Sequence, residues 1–154
     1  MSLEQDVKML SQAPIFSQLD GEALRLLAFT AEKQSFAKGE FLYRNGEPAD
    51  CAYLLISGSL RFEAGDIAGS NNLVGGAYTL VGETALITAT QRSTDAVATE
   101  DCNTFKIPRS LFLRIMREFP GGAVKVRAFL AQQLIGFTQE IDAARQRADL
   151  RAVQ

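Results

Sequence analysis

The sequence predicts a mainly β protein with flanking α-helices: a double-stranded β-helix, or jelly-roll barrel, followed by a long C-terminal helix. Three observations predict it. Between Lys33 and about Pro108, short segments rich in β-formers alternate with glycine-bearing turns. Eight of the 12 glycines fall between positions 39 and 82, where tight turns call for positive φ. Helical spacing is confined to the two ends of the chain. Many short strands with glycine turns favour a sandwich, barrel or jelly roll, architectures that limit open strand edges. A chain of 154 residues buries roughly two-thirds of the surface it exposes when unfolded, enough for a real core.

The elements follow in order. Residues 3–12 read as a short helix with Leu3, Val7 and Leu10 on one face, stopped by Pro14. Asp20 is the N-cap of a second helix, in which Leu24, Leu27 and Ala28 repeat at helical spacing to about Ala31. Strands are expected at Gln34–Phe36, Phe41–Arg44, Ala52–Ser57, Ser59–Glu63, Asn72–Val74, Arg92–Ala98 and Cys102–Ile107. A helix returns at Ser110–Glu118 and is broken by Pro120 and Gly121-Gly122. Residues 1–118 are thus expected to form the β-domain with its N-terminal helices, and residues 119–154 a C-terminal lid or dimerisation helix.

That last segment carries a seam. Leu130, Leu134, Phe137, Ile141, Ala144 and Ala148 are spaced 4, 3, 4, 3 and 4 residues apart, the a and d positions of a heptad. Glu140 at g and Arg145 at the following e would face each other in a parallel pair. A homodimer through residues 123–148 is the favoured reading. A helix laying its apolar stripe on its own β-domain is the other.

Composition excludes several chemistries. There is no histidine, so general acid/base catalysis by imidazole, a Ser-His-Asp triad and His-ligated zinc or haem are all out of reach. Cys51 and Cys102 are too few for an iron–sulfur cluster or a four-cysteine zinc site, and are expected as buried free thiols. No catalytic residue, metal or bound cofactor is expected. No run approaches the ~18–20 apolar residues that span a membrane, and the first residues lack the pattern of a signal peptide. Cytoplasm is the expected compartment. The net charge of −2 does not suggest a nucleic-acid binder. Residues 1–108 carry 8 basic and 14 acidic side chains, whereas residues 109–154 carry 8 and 4, so the C-terminal part differs in kind.

The informative stretch runs from Leu80 to Ala98. Gly82 ends an apolar run and permits a sharp turn. Glu83-Thr84-Ala85-Leu86 then begins a helical turn whose free N–H groups favour an anion. The small residues Gly82 and Ala85 allow a ligand close to the backbone. Arg92 is the only basic residue between Phe62 and Phe105, an interval that holds six acids. Such a guanidinium needs a partner, either an anionic phosphate, which Arg binds in bidentate fashion, or Glu83. Ser93 adds a hydroxyl.

Gly82-Glu83-x-Ala85-Leu86, five further residues and Arg92-Ser93-Thr94 resemble the phosphate-binding cassette of the cyclic nucleotide-binding domain family. This is the fold of the catabolite activator protein and of the regulatory domains of cyclic-nucleotide-dependent kinases and channels. Ile15-Phe16-Ser17-Gln18-Leu19 resembles the family's N-terminal motif. Phe36–Glu47 and Tyr53–Leu60 resemble its first strands and glycine turns. The resemblance spans about residues 14–142. It implies that Arg92 pairs with the cyclic phosphate, with Ser93 and the backbone around Thr84, Ala85 and Leu86 completing the cradle. It also implies that Glu83 accepts the ribose 2′-hydroxyl and that Gly82 lets the chain pass beneath the sugar. Thr138, on the covering helix, would reach the base edge. Ser93 leans the purine choice to cyclic AMP over cyclic GMP.

The approach segment Gly75–Val81 departs from the family's pattern, being slightly long and without the Pro-Gly-Asp often found there. Asp95 is expected to face away from the pocket. No helix-turn-helix domain follows the long helix, so this chain alone is not expected to bind nucleic acid, and its output would pass to an effector protein. The expected function is a non-enzymatic cyclic nucleotide sensor that signals through its C-terminal helix. The alternative is a dimerisation or interaction module of the same fold without ligand.

Overall fold

A computed structural model describes residues 2–63 and 72–133. Helix α1 (Leu3–Leu10) begins at Ser2, whose hydroxyl accepts from the Gln5 N–H while the Gln5 side chain accepts from the Ser2 N–H, a complete capping box. Helix α2 (Gly21–Thr30) is capped by Asp20, which accepts from the Ala23 N–H at 3.0 Å. Between them Phe16–Gln18 makes one 3₁₀ turn, and Ile15, Phe16 and Leu19 are buried.

Among the described residues ten strands follow: β1 (Glu32–Phe36), β2 (Phe41–Tyr43), β3 (Pro48–Ala49), β4 (Cys51–Ser57), β5 (Ser59–Glu63), β6 (Asn72–Gly75), β7 (Leu80–Val81), β8 (Thr90–Gln91), β9 (Asp95–Ala98) and β10 (Cys102–Pro108). They form two four-stranded antiparallel sheets, ordered β1-β10-β4-β7 and β2-β9-β5-β6, and a small β3-β8 pair. With the helices, this is the jelly-roll class the sequence predicts. Helix α3 (Arg109–Glu118) follows β10 directly, and a further helix, α4, runs over residues 120–133.

Strand β4 shows how sequence builds two cores. Its side chains alternate with period two, and both faces are buried. Cys51, Tyr53 and Leu55 point between the sheets, where they meet Phe36, Leu42, Leu60 and Val81. Ala52, Leu54 and Ile56 point outward into the helix-covered core with Phe16, Leu27, Phe105 and Ile115. The inner core is tightened by an edge-on contact of Phe36 and Tyr53, 5.8 Å between ring centroids. Helices α1, α2 and α3 therefore cover one sheet and leave the barrel's interior to the other core.

Three details differ from the sequence reading. The strands β3, β7 and β8 are two residues each, too short to show a period. The strand expected from Arg92 begins at Asp95, because Arg92 spends its backbone groups on the 46–47 turn: its N–H donates to Glu47 O and its carbonyl accepts from the Gly46 N–H, both at 2.8 Å. The break after α3 falls at Phe119, with φ −126° and ψ 74°, and helix resumes at once from residue 120. Proline is well placed at a first helical position, where its missing N–H costs nothing, so Pro120 starts α4.

In α4, Ala123 and Val126 are buried, and Phe129 and Leu130 pack against the helix-covered core. Leu130, first in the heptad seam, thus meets the chain's own core. The remaining seam positions, Glu140, Arg145 and Thr138 lie outside the described residues. Both cysteines are buried and free, as expected.

Gly58 makes the β4–β5 turn at φ +99°, and an added Cβ would sit 2.5 Å from the Asp101 carbonyl and 2.6 Å from Cys102 Sγ. The obstacle includes backbone that cannot step aside. Gly58→Ala should cost about 3 kcal/mol and lower the melting temperature by several degrees. An unchanged melting curve would contradict this turn geometry.

Candidate ligand-binding site

The site is built where β7 ends. Gly82 takes the left-handed conformation, φ 77° and ψ 33°, and turns the chain into the 3₁₀ segment Glu83–Leu86. Ala85 and Leu86 are buried, Leu86 within the helix-covered core, so they anchor this turn. The Ala85 N–H donates to Gly82 O at 3.0 Å, so in this structure that amide serves the turn itself.

A second anchor is one the sequence reading missed. Arg109, at the first position of α3, donates from Nη1 to Ala49 O at 3.0 Å and to Ala85 O and Thr88 O at 3.2 Å each. The helix dipole disfavours a cation at an N-terminus, and these three carbonyls offset that cost. An arginine in a helix's first turn was the available signal.

Arg92 lies between β8 and β9 and is 7% exposed. Its Nη2 donates to Cys51 O at 2.8 Å and lies 3.4 Å from Cys51 Sγ. Its guanidinium carbon sits 4.2 Å from the centroid of the Tyr43 ring. On another side it passes so close to Gly82 that an added Cβ there would be 2.5 Å from Nη1. Its Nε is buried and has no hydrogen-bond partner. Among the described residues no carboxylate lies within ion-pair distance of it, Glu83 included. Of the two partners the sequence offered, Glu83 is therefore not paired with it. A buried charge without a counter-ion is costly, and an anionic ligand would remove that cost.

A cavity of about 110 Å³ opens against this group. Gly82, Thr84, Ala85, Arg92 and Ser93 line it, joined by Tyr43, Ala49, Thr90 and Gln91, and Arg92 is the only charged side chain in the lining. The structure thus brings together five of the predicted site residues. Leu86 is instead a core anchor. Glu83 stands beside the lining, with one carboxylate oxygen buried and unpartnered. Asp95 is drawn away, as expected, accepting from the Asn45 N–H at 2.6 Å and facing Arg44 Nε at 3.6 Å. The volume falls below the roughly 300–1,000 Å³ of small-molecule pockets, so the cavity has room for a small group and not for a whole nucleotide. A larger hollow of about 540 Å³ between α3 and α4 is mostly apolar and holds no buried unpartnered polar atom. Size alone therefore does not choose the site.

Burial raises the Glu83 carboxyl above its ordinary value of 4.5. The folded state then binds this proton more tightly than the unfolded state. The resulting stability is present below pH 4.5 and is lost as pH rises through the raised value. Glu83→Gln, neutral throughout, should melt higher than the parent at pH 7, with the difference closing by about pH 4. Melting curves across that range check it, and a pH-independent difference would contradict it. Burial also raises the Tyr43 phenol and the Cys51 thiol, with the neighbouring Arg92 charge opposing in both.

Comparison with known proteins agrees with the geometry. The family model of the cyclic nucleotide-binding domain matches residues 33–119, more than half of the chain. A neuropathy target esterase (sws) of Drosophila persimilis is 34% identical over 103 residues, 66% of this chain and 7% of that protein. A lysophospholipase (nte1) of Aspergillus terreus is 30% identical over 130 residues, 83% of this chain and 8% of that protein. The chain thus spans less than a tenth of the length of these curated relatives. Among solved structures, a cyclic nucleotide-binding-like protein of Brucella abortus is 37% identical with a TM-score of 0.64, covering 73% of this chain and 98% of that one. The catabolite activator protein of Thermus thermophilus is 28% identical with a TM-score of 0.68, covering 84% of this chain and 62% of that one. Among the described residues no helix is long and apolar enough to cross a membrane. With its jelly roll, its left-handed Gly82 turn and a family match over residues 33–119, this chain belongs to the cyclic nucleotide-binding domain family.

Proposed function

We propose that the chain is a non-catalytic regulatory domain that binds a cyclic nucleotide, cyclic AMP in preference to cyclic GMP. The observation that carries this reading is the buried guanidinium of Arg92, without a counter-ion among the described residues and lining a cavity beside Gly82. In this reading Arg92 neutralises the cyclic phosphate, and Ser93, Thr84 and the Ala85 backbone complete the cradle. Glu83 accepts the ribose 2′-hydroxyl, an added donor for its unpartnered buried oxygen. The C-terminal helix carries the signal, through a homodimer and an effector protein, and Thr138 meets the base. Ser93 supports the purine preference, because a serine after the cassette arginine resembles the cyclic-AMP sensors of the family.

The second reading, an interaction module of the same fold without this ligand, has one observation of its own. A neighbour at 25% identity is described as the regulatory subunit of a cAMP-independent protein kinase A from Trypanosoma brucei. Thermal melting separates the two. A ligand that binds only the folded state adds RT ln(1 + [L]/Kd), about 2.7 kcal/mol at a hundredfold excess over Kd. Cyclic AMP should raise the melting temperature by several degrees, and more than cyclic GMP at equal concentration. No shift with either, from folded protein cleared of co-purified nucleotide, favours the module.

A further inference from the structure

The guanidinium of Arg92 is caged. Cys51 O accepts from its Nη2, the Gly82 backbone closes on Nη1, and the Tyr43 ring stands against its carbon at 4.2 Å. Gly82 contributes backbone alone, and Cys51 adds its Sγ, 3.4 Å from Nη2, to its carbonyl. Tyr43 is the wall that faces the plane of the guanidinium, and it also lines the cavity. It ends β2, and its hydroxyl contacts the Thr94 side chain, two residues beyond Arg92. The phenol therefore touches the arginine segment twice, on the charged group and past it.

We infer that Tyr43 is a positioning residue of the anion site: its ring face holds the plane of the Arg92 guanidinium beside the cavity without taking up any of its N–H groups. The physical reason is the charge without a counter-ion among the described residues. With no carboxylate there to fix its plane, the bond from Nη2 to Cys51 O holds only one edge of the guanidinium. An aromatic face stabilises the cation without consuming any of its N–H groups, because the ring offers a quadrupole and not an acceptor atom. A carboxylate in that place would neutralise the charge and compete with the anion. An aliphatic side chain would fill the space but leave the plane of the guanidinium unfixed. Tyr43 thus orients the arginine without taking up its unpartnered Nε.

This assignment rests on the reading of the cavity as an anion site, and two measurements keep the two apart. Titration of cyclic AMP into the whole chain compares the parent with Tyr43→Phe and Tyr43→Leu, each checked for folding by its melting curve. Tyr43→Phe keeps the ring face and should bind within about twofold of the parent, whereas Tyr43→Leu should bind about tenfold more weakly. Equal binding by Tyr43→Leu and the parent overturns the assignment. So does a loss in Tyr43→Phe as large as in Tyr43→Leu, which would place the effect in the hydroxyl. The second measurement needs no nucleotide. The Arg92 side-chain N–H resonances should report slow rotation of the guanidinium in the parent and in Tyr43→Phe, and faster rotation in Tyr43→Leu, which lacks the ring face. If the parent binds no cyclic nucleotide, the functional reading falls, and this rotation alone decides the role of Tyr43; a rotation unchanged in Tyr43→Leu overturns it.

Discussion

Arg92→Ala is expected to lower cyclic AMP affinity by a factor of a hundred or more while leaving the ligand-free protein folded. Hydrogen bonds to a charged group contribute about 1.5–3 kcal/mol each, and a guanidinium makes two at once to a phosphate. Losing both corresponds to two to four powers of ten in Kd. Stability moves little, because two effects oppose each other. Alanine removes the bond to Cys51 O and the stacking on Tyr43, but it also removes a buried charge whose Nε has no partner. Arg92→Lys should recover only part of the affinity, since an ammonium is a point charge without the planar fork. Direct titration checks the affinity and a melting curve checks the fold. A variant that binds as the parent does would remove Arg92 from the site.

Gly82→Ala is expected to have the second largest effect, and for a different reason. The position sits at φ 77°, where a side chain costs about 1–2 kcal/mol. The added Cβ would also stand 2.5 Å from Arg92 Nη1. The obstacle here is the far end of a flexible side chain, so the fold survives by pushing the guanidinium aside. That displacement moves the group the ligand needs. Melting temperature should fall by a few degrees, and affinity on the order of a hundredfold, since charge-assisted bidentate bonds tolerate little misplacement. Gly58→Ala is the contrast: it meets backbone, so its cost falls on stability. A Gly82→Ala protein with reduced stability but parental affinity would contradict the close approach.

The parts of this fold legible in sequence were those whose causes are local. Asp20 and the helix it caps, the glycine turns at 39, 46, 58 and 76, and the strand expected at Ala52–Ser57 each follow from neighbouring residues. The turn at Gly82 was legible for the same reason. What escaped depends on contacts distant in sequence. Strands β3, β7 and β8 exist because partners hold two residues extended, and two residues carry no period. The segment Arg92-Ser93-Thr94 alternates like a strand, yet the turn at Gly46 and Glu47 claims the backbone of Arg92. Pro120 looks like a breaker until α3 is seen to end two residues earlier, at Glu118. In the site, Arg92 was marked by its isolation among acids. The roles of Tyr43 and Arg109 were not, because one touches Arg92 from 49 positions away and the other reaches carbonyls 21 to 60 positions back.

The central claim is that the charge of Arg92 awaits a cyclic phosphodiester. Calorimetric titration of cyclic AMP and cyclic GMP into the purified chain, beside Arg92→Ala, tests it most directly. The account predicts saturable binding at one site per chain with a micromolar or tighter Kd, stronger for cyclic AMP and absent in the variant. No heat with either nucleotide, from folded protein free of co-purified ligand, would contradict it.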